Sequence, residues 1–202
     1  KMKKAYYFIP LFILALSITL LASNVDFYKQ QMVDYDSHEE YVEDLLGFFM
    51  GDNQILGDSS QDLYSETEII HLTDVQFLLK GVSFLVLFLA LVVGFMLFHE
   101  DRLTIKDNLF KGGIYSIVFT GVLSLLFLNF DSAFTMFHKV FFLNDYWLLP
   151  SDAALIHMFP KEFFVVALTQ IVLYSLIFSC VFIVLGIYIP GECKNGRRKK
   201  RT

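Results

Sequence analysis

Four stretches of the chain, residues 5–22, 77–98, 112–130 and 163–189, are apolar almost without interruption. Each is close to the ~20 residues that a helix needs to cross a bilayer. The runs are continuous rather than alternating, which excludes the strand pattern of a membrane barrel. Lys80 is the one charged side chain inside them. The pattern predicts an all-α integral membrane protein, a four-helix transmembrane bundle.

Two longer connections, 23–76 and 131–162, mix polar and apolar positions at helical spacing. In the first, Ser37 to Glu40 has the S-x-x-E form of a capping box, in which side chains satisfy the free amides of a first helical turn. Val42, Leu45, Leu46 and Phe49 then recur on one face, with Glu39, Glu40, Glu43 and Asp44 on the other. Gly51 is the expected stop, and 51–62 read as a loop. A second capping box, Ser65 to Glu68, opens the approach to the second span. In the other connection, Phe134, Phe137, His138 and Phe141 share a helical stripe, and the only Trp of the chain, Trp147, follows. A short helix is expected from Ser151 or Asp152, carrying Leu155, Ile156 and Phe159, with Pro160 in the first turn of the fourth long helix. These segments predict a helical cap at the membrane interface, either on the lipid or on the bundle.

Composition supports the membrane reading. Hydrophobic residues make up 55% of 202 positions and charged residues 18%, against the usual ~45–50% and ~25%. A soluble domain of this size cannot bury so much apolar surface. The formal net charge of −5 also argues against a nucleic-acid partner. That net value conceals a strong polarity. Segments 1–4, 99–111 and 190–202 hold 12 of the 16 Lys and Arg, whereas 23–76 and 131–162 hold 17 of the 21 acids. The positive-inside rule therefore predicts cytoplasmic termini, a cytoplasmic 99–111 loop, and extracytoplasmic 23–76 and 131–162. The basic tail, 194–201, suits anionic headgroups. The first apolar run exceeds the ~7–15 residues of a cleaved leader's core, which favours a retained span. The two cysteines, Cys180 and Cys193, lie in the last span and the tail, so the outer segments have no disulfide and must be held by packing.

The candidate chemistry lies in the histidines. His71 and Asp74 are three apart on a helix face, where a carboxylate can fix an imidazole's tautomer. His71 is also only six residues before Phe77, which on a helix places it roughly 9 Å above the span. His138, on a phenylalanine stripe, needs a hydrogen-bond partner or a chemical role. His157, before Pro160, is a second-tier candidate. His38 sits in a capping turn, and His99 suits a helix C-terminus. There is no H-E-x-x-H, C-x-x-C or G-x-S-x-G, so zinc-protease, redox and hydrolase-elbow readings lack their motifs. No metal site or cofactor is expected.

The blocks H-L-T-D-V (71–75), F-H-K-V-F-F-L-N-D-Y-W-L-L-P (137–150) and F-P-K-E-F-F (159–164) resemble the lipoprotein intramolecular transacylase family, called Lit, over essentially the whole chain. The resemblance implies a bacterial, multi-pass enzyme of the cell membrane whose partners are membrane lipid and a lipoprotein carrying diacylglyceryl on its N-terminal cysteine. It implies transfer of the sn-2 acyl chain to the lipoprotein's own α-amino group, giving a lyso-form lipoprotein, with His71 and His138 as the key histidines. The expected division of labour has His71 as base oriented by Asp74, and His138 as acid or oxyanion donor. Asn144, Trp147, Lys139, Phe137 and Phe141 are the expected substrate-binding residues. The alternatives are a non-enzymatic membrane adaptor, for which both histidines would be replaceable, and a lipid hydrolase, which would need an activated water.

Overall fold

The computed structural model describes residues 4–31, 39–51 and 63–190, with 39–42 described as backbone only. The Ser37 capping turn, His38, nearly all of the 51–62 loop, and the tail with Cys193 lie outside the described residues. Those described form a helical protein: a short 3-10 turn Ala5–Tyr7, then α1 (Ile9–Ala22), α2 (Val25–Gln31), α3 (Glu39–Met50), α4 (Glu66–Phe98), α5 (Arg102–Ser124), a 3-10 segment Leu125–Asn129, α6 (Phe130–Phe141), α7 (Ala154–Met158) and α8 (Lys161–Tyr188).

Three helical rods, starting at Glu66, Arg102 and Lys161, are long and apolar enough to cross a membrane alone; α1 with α2 makes a fourth only as a pair bent by 63°. The first apolar run is thus less regular than its hydropathy suggests. Pro10 sits at the start of α1, and the helix has 14 residues, about 21 Å against a hydrocarbon core of about 30 Å. The second rod has the opposite mismatch. With 33 residues, α4 is about 50 Å long, longer than that core, and His71 lies in its polar first turns ahead of the apolar run 77–98. The 99–111 stretch is less of a loop than expected. Only 99–101 break the chain before Asp101 caps α5 by accepting a hydrogen bond from the Thr104 amide at 2.8 Å.

In the bundle, α5 packs against α1 and α8 through glycines. A Cβ added to Gly113 would meet the Ser179 carbonyl at 2.7 Å, and one on Gly186 would meet the Phe110 amide nitrogen at 2.6 Å. Without a hydrophobic force between helices in lipid, such close backbone approach is a main source of association. Ser17, Ser175 and Ser179 are fully buried; Ser17 and Ser179 donate to carbonyls four residues back, and the Ser175 hydroxyl donates to the Ser17 hydroxyl.

The cap rests on the bundle, deciding between the two placements open from sequence. Leu45, Leu46 and Phe49 of α3, joined by Phe48, are buried with Phe27 and Tyr28 of α2, Leu72 of α4, Leu155 and Met158 of α7, and Phe163 of α8. Gly51 ends α3 with φ +87°, the left-handed conformation that glycine adopts freely. Gln76 of α4 donates to the Phe48 carbonyl, and Lys29 of α2 bridges to Glu43 of α3 at 2.8 Å. The short helix α7 begins at Ala154, later than expected. It buries Leu155 and Met158 and leaves Ile156 exposed. Pro160 precedes the first turn of α8 as its N-cap rather than lying within it.

Candidate active site

The head of α4 is held by the second capping box as its sequence predicts. The Ser65 side chain accepts from the Glu68 amide, and the Glu68 carboxylate accepts from the Ser65 amide at 2.8 Å. Glu68 does more than cap. It is buried, and its other oxygen accepts from the Leu155 amide at 2.9 Å, tying α7 to the first turn of α4. Leu72, four positions after Glu68, enters the cap core, and His71 lies beside that seam.

The second histidine arrives on α6, whose start is set by Asn129 accepting from the Ser132 amide. His138 is the buried residue of α6. Its Nδ1 lies 2.8 Å from the Phe134 carbonyl oxygen. A carbonyl only accepts, so Nδ1 carries the proton, and in the neutral ring Nε2 keeps its lone pair free. The two imidazole centroids are 5.8 Å apart. Phe142 packs against both, at 5.1 Å from His71 and 5.4 Å from His138. Phe134 at 4.1 Å, Phe137 at 5.4 Å and Trp147 at 5.0 Å complete an aromatic cradle around His138.

Trp147 reaches the cradle because the loop after α6 is fastened to α4. Asn144 Nδ2 donates to Asp74 Oδ2 at 2.8 Å, and Asn144 Oδ1 accepts from the Tyr146 amide at 3.1 Å. The expected contact between Asp74 and His71 is therefore replaced: the Asp74 carboxylate holds Asn144, while His71 Nδ1 is buried without a hydrogen-bond partner among the described residues. Asp74 still acts on His71 through its charge. Both rings lie outside the apolar spans. Burial, followed by the neighbouring His138 and opposed by Asp74, pushes the His71 pKa down to about 4. Burial also lowers that of His138, opposed by the Phe134 hydrogen bond. Both imidazoles are thus neutral at pH 7.

Six of the sequence candidates, His71, His138, Asp74, Asn144, Trp147 and Phe137, converge here. Phe141 packs against Phe137 at 4.8 Å with the rings tilted and is half exposed, at the rim. Lys139 and His157 are exposed and make no hydrogen bond or ring contact with the histidine pair among the described residues. Phe142 is the residue that sequence reading missed. Its signal was its position four after His138: it follows the last residue of α6, and its amide donates to the His138 carbonyl at 2.8 Å.

The family model for the lipoprotein intramolecular transacylase Lit matches residues 5–164. The chain belongs to the Lit family. It is accordingly a membrane acyltransferase that acts on lipoproteins, and the non-enzymatic alternative gives way. Among solved structures, the membrane integral lipoprotein intramolecular transacylase Lit from Bacillus cereus is similar in fold, with a TM-score of 0.75, 24% identity and 92% of each chain covered. A variant of that protein with a histidine replaced by alanine gives a TM-score of 0.72 at 23% identity, covering 92% of this chain and 90% of that one. No curated protein matches significantly in sequence.

Proposed function

We propose that this Lit protein moves the sn-2 acyl chain of a diacylglyceryl-cysteine lipoprotein onto that lipoprotein's own α-amino group, by neutral-histidine catalysis at the extracytoplasmic interface. The observation that carries the reading is the pair of imidazoles 5.8 Å apart inside an aromatic cradle. Amine and ester belong to one substrate molecule, so holding them together and excluding water supplies much of the rate, up to ~7–11 kcal/mol. Acyl chains would lie along the exposed Phe137, Val140 and Phe141.

The hydrogen bonds favour roles opposite to those expected from sequence. His138, with Nδ1 donating to Phe134, presents a free Nε2 and acts as base. It takes a proton from the attacking amine as the C–N bond forms. His71, whose lowered pKa makes it a poor base, acts as a neutral donor to the oxyanion. Collapse breaks the sn-2 ester bond, and His138 returns the proton to the departing glycerol oxygen. No water is consumed, and the total mass is unchanged. Asp74 and Asn144 position the Trp147 loop. The distribution of basic residues supports termini in the cytoplasm.

Mass spectrometry of the N-terminal peptide of a diacylated lipoprotein, after incubation with purified enzyme, tests this. Constant mass with an acyl group moved to the amine is expected. His71→Ala and His138→Ala should each lower conversion by roughly 10²–10⁴-fold. Wild-type conversion by both variants would sink the assignment, and loss of the acyl group would indicate a hydrolase.

A further inference from the structure

On the other side of α4 from His71 lies a separate cavity of about 340 Å³, between the end of α1, the end of α3 and α4. Lys80 is nine residues after His71, half a turn around the helix and about 13 Å further along it. Lys80, Ser23 and Ser83 line it with polar groups, and Phe84 and Leu87, one and two turns after Lys80 on α4, line it with apolar ones. Phe84 and Leu87 are 73% and 58% exposed, open to whatever lies alongside the helix.

Two polar groups on its wall have no partner among the described residues. Lys29, Lys111 and Lys161 each bridge to a carboxylate at 2.6–2.8 Å, whereas Lys80 has no ion pair or hydrogen bond among the described residues. Its ammonium lies against Gly51, where an added Cβ would sit 3.4 Å from Nζ. Thr19, from α1, has a buried Oγ1 with no partner among the described residues. A cation and a hydroxyl donor without acceptors among the described residues, beside apolar side chains open to lipid, call for an anion joined to a hydrocarbon chain.

We propose that this cavity is a binding site for one anionic glycerophospholipid, with its phosphate at Lys80 and Thr19 and an acyl chain along Phe84 and Leu87. The occupant is a phospholipid rather than the lipoprotein substrate. A diacylglyceryl-cysteine head has no phosphate, and its α-ammonium would be repelled by Lys80. The site is independent of the transacylation centre, so its test does not depend on activity.

Full-length protein would be reconstituted in nanodiscs of phosphatidylcholine with a minor share of phosphatidylglycerol, extracted into mild detergent, and examined by native mass spectrometry. The wild-type chain should retain one phosphatidylglycerol in preference to phosphatidylcholine. Lys80→Gln should lower that preference by about fivefold, the contribution of one lysine at an anionic lipid surface. Thr19→Val should lower it as well, and Lys80→Arg should keep it. Lys161→Gln, which removes a paired surface lysine, should leave it unchanged. No preference in the wild type, equal retention by Lys80→Gln, or displacement of the lipid by glycerol phosphate alone would overturn the proposal.

Discussion

Imidazoles kept neutral by burial change what protonation does to this protein. The folded pKa of His71, about 4, lies below the ~6.5 of an unfolded chain. The native state therefore binds fewer protons than the unfolded one between those values. The stability associated with the neutral ring is complete above about pH 6.5 and is lost as pH falls toward 4. His138 shifts in the same direction and adds to the effect. Thermal unfolding should accordingly shift downward between pH 7 and pH 4.5, and less so in His71→Asn. Activity should follow a different group. His71 stays unprotonated at pH 6 and burial pushes His138 in the same direction, so the acid limb of kcat/KM should track the substrate's α-amine, near pKa 8, rather than a histidine. The Asp74–Asn144 bond makes a further prediction. If Asp74 acts by holding the Trp147 loop, Asp74→Ala and Asn144→Ala should each lower kcat/KM by about tenfold or more, and the double variant should be little worse than either. Additive losses would show that Asp74 acts separately on His71.

At the scale of elements, short polar clips hold the site's helices in register. Ser65 caps α4, and removing its hydroxyl in Ser65→Ala should cost about 1 kcal/mol in denaturant unfolding. Glu68 joins two elements, because one carboxylate serves the α4 cap and the Leu155 amide of α7. Glu68→Ala should therefore speed hydrogen exchange at the Leu155 amide and loosen α7 more than Ser65→Ala does. The long rod that begins with α5 is divided where Asn129 caps α6. Its hydropathy alone ran the third span to residue 130, and the 3-10 segment Leu125–Asn129 occupies the last part of that run. Apolar content does not report a change in hydrogen-bond register, whereas an asparagine cap does.

For the molecule as a whole, glycine contacts set how close the long helices stand. Gly113→Leu or Gly186→Leu would drive a side chain into the facing backbone. Each should destabilise the bundle by about 1–3 kcal/mol, read as a lower unfolding midpoint in detergent. The orientation implied by charge is open to direct labelling. In a chain with Cys180 and Cys193 replaced by serine, a membrane-impermeant thiol reagent should modify Asp152→Cys on intact cells and leave Asp107→Cys untouched. The reverse result would invert the topology and place the histidine pair on the cytoplasmic side.

The sequence by itself determined the apolar segments, the capping of α4 and the amphipathic face of α3. Each of these depends on a segment's own partitioning or on contacts within a few residues. It also marked both histidines, because an imidazole on a phenylalanine stripe or at the head of a span is anomalous locally. Only the tertiary structure decided what those groups touch. Asp74 and Asn144 meet across 70 residues of sequence. That long-range bond takes the carboxylate which local spacing had assigned to His71. In the same way, the packing of α6 against α4 made Phe142 common to both rings, and the Phe134 carbonyl fixed which nitrogen of His138 is free. Spacing along one helix states which partners are available, and competition among all neighbours in the folded chain selects the ones used.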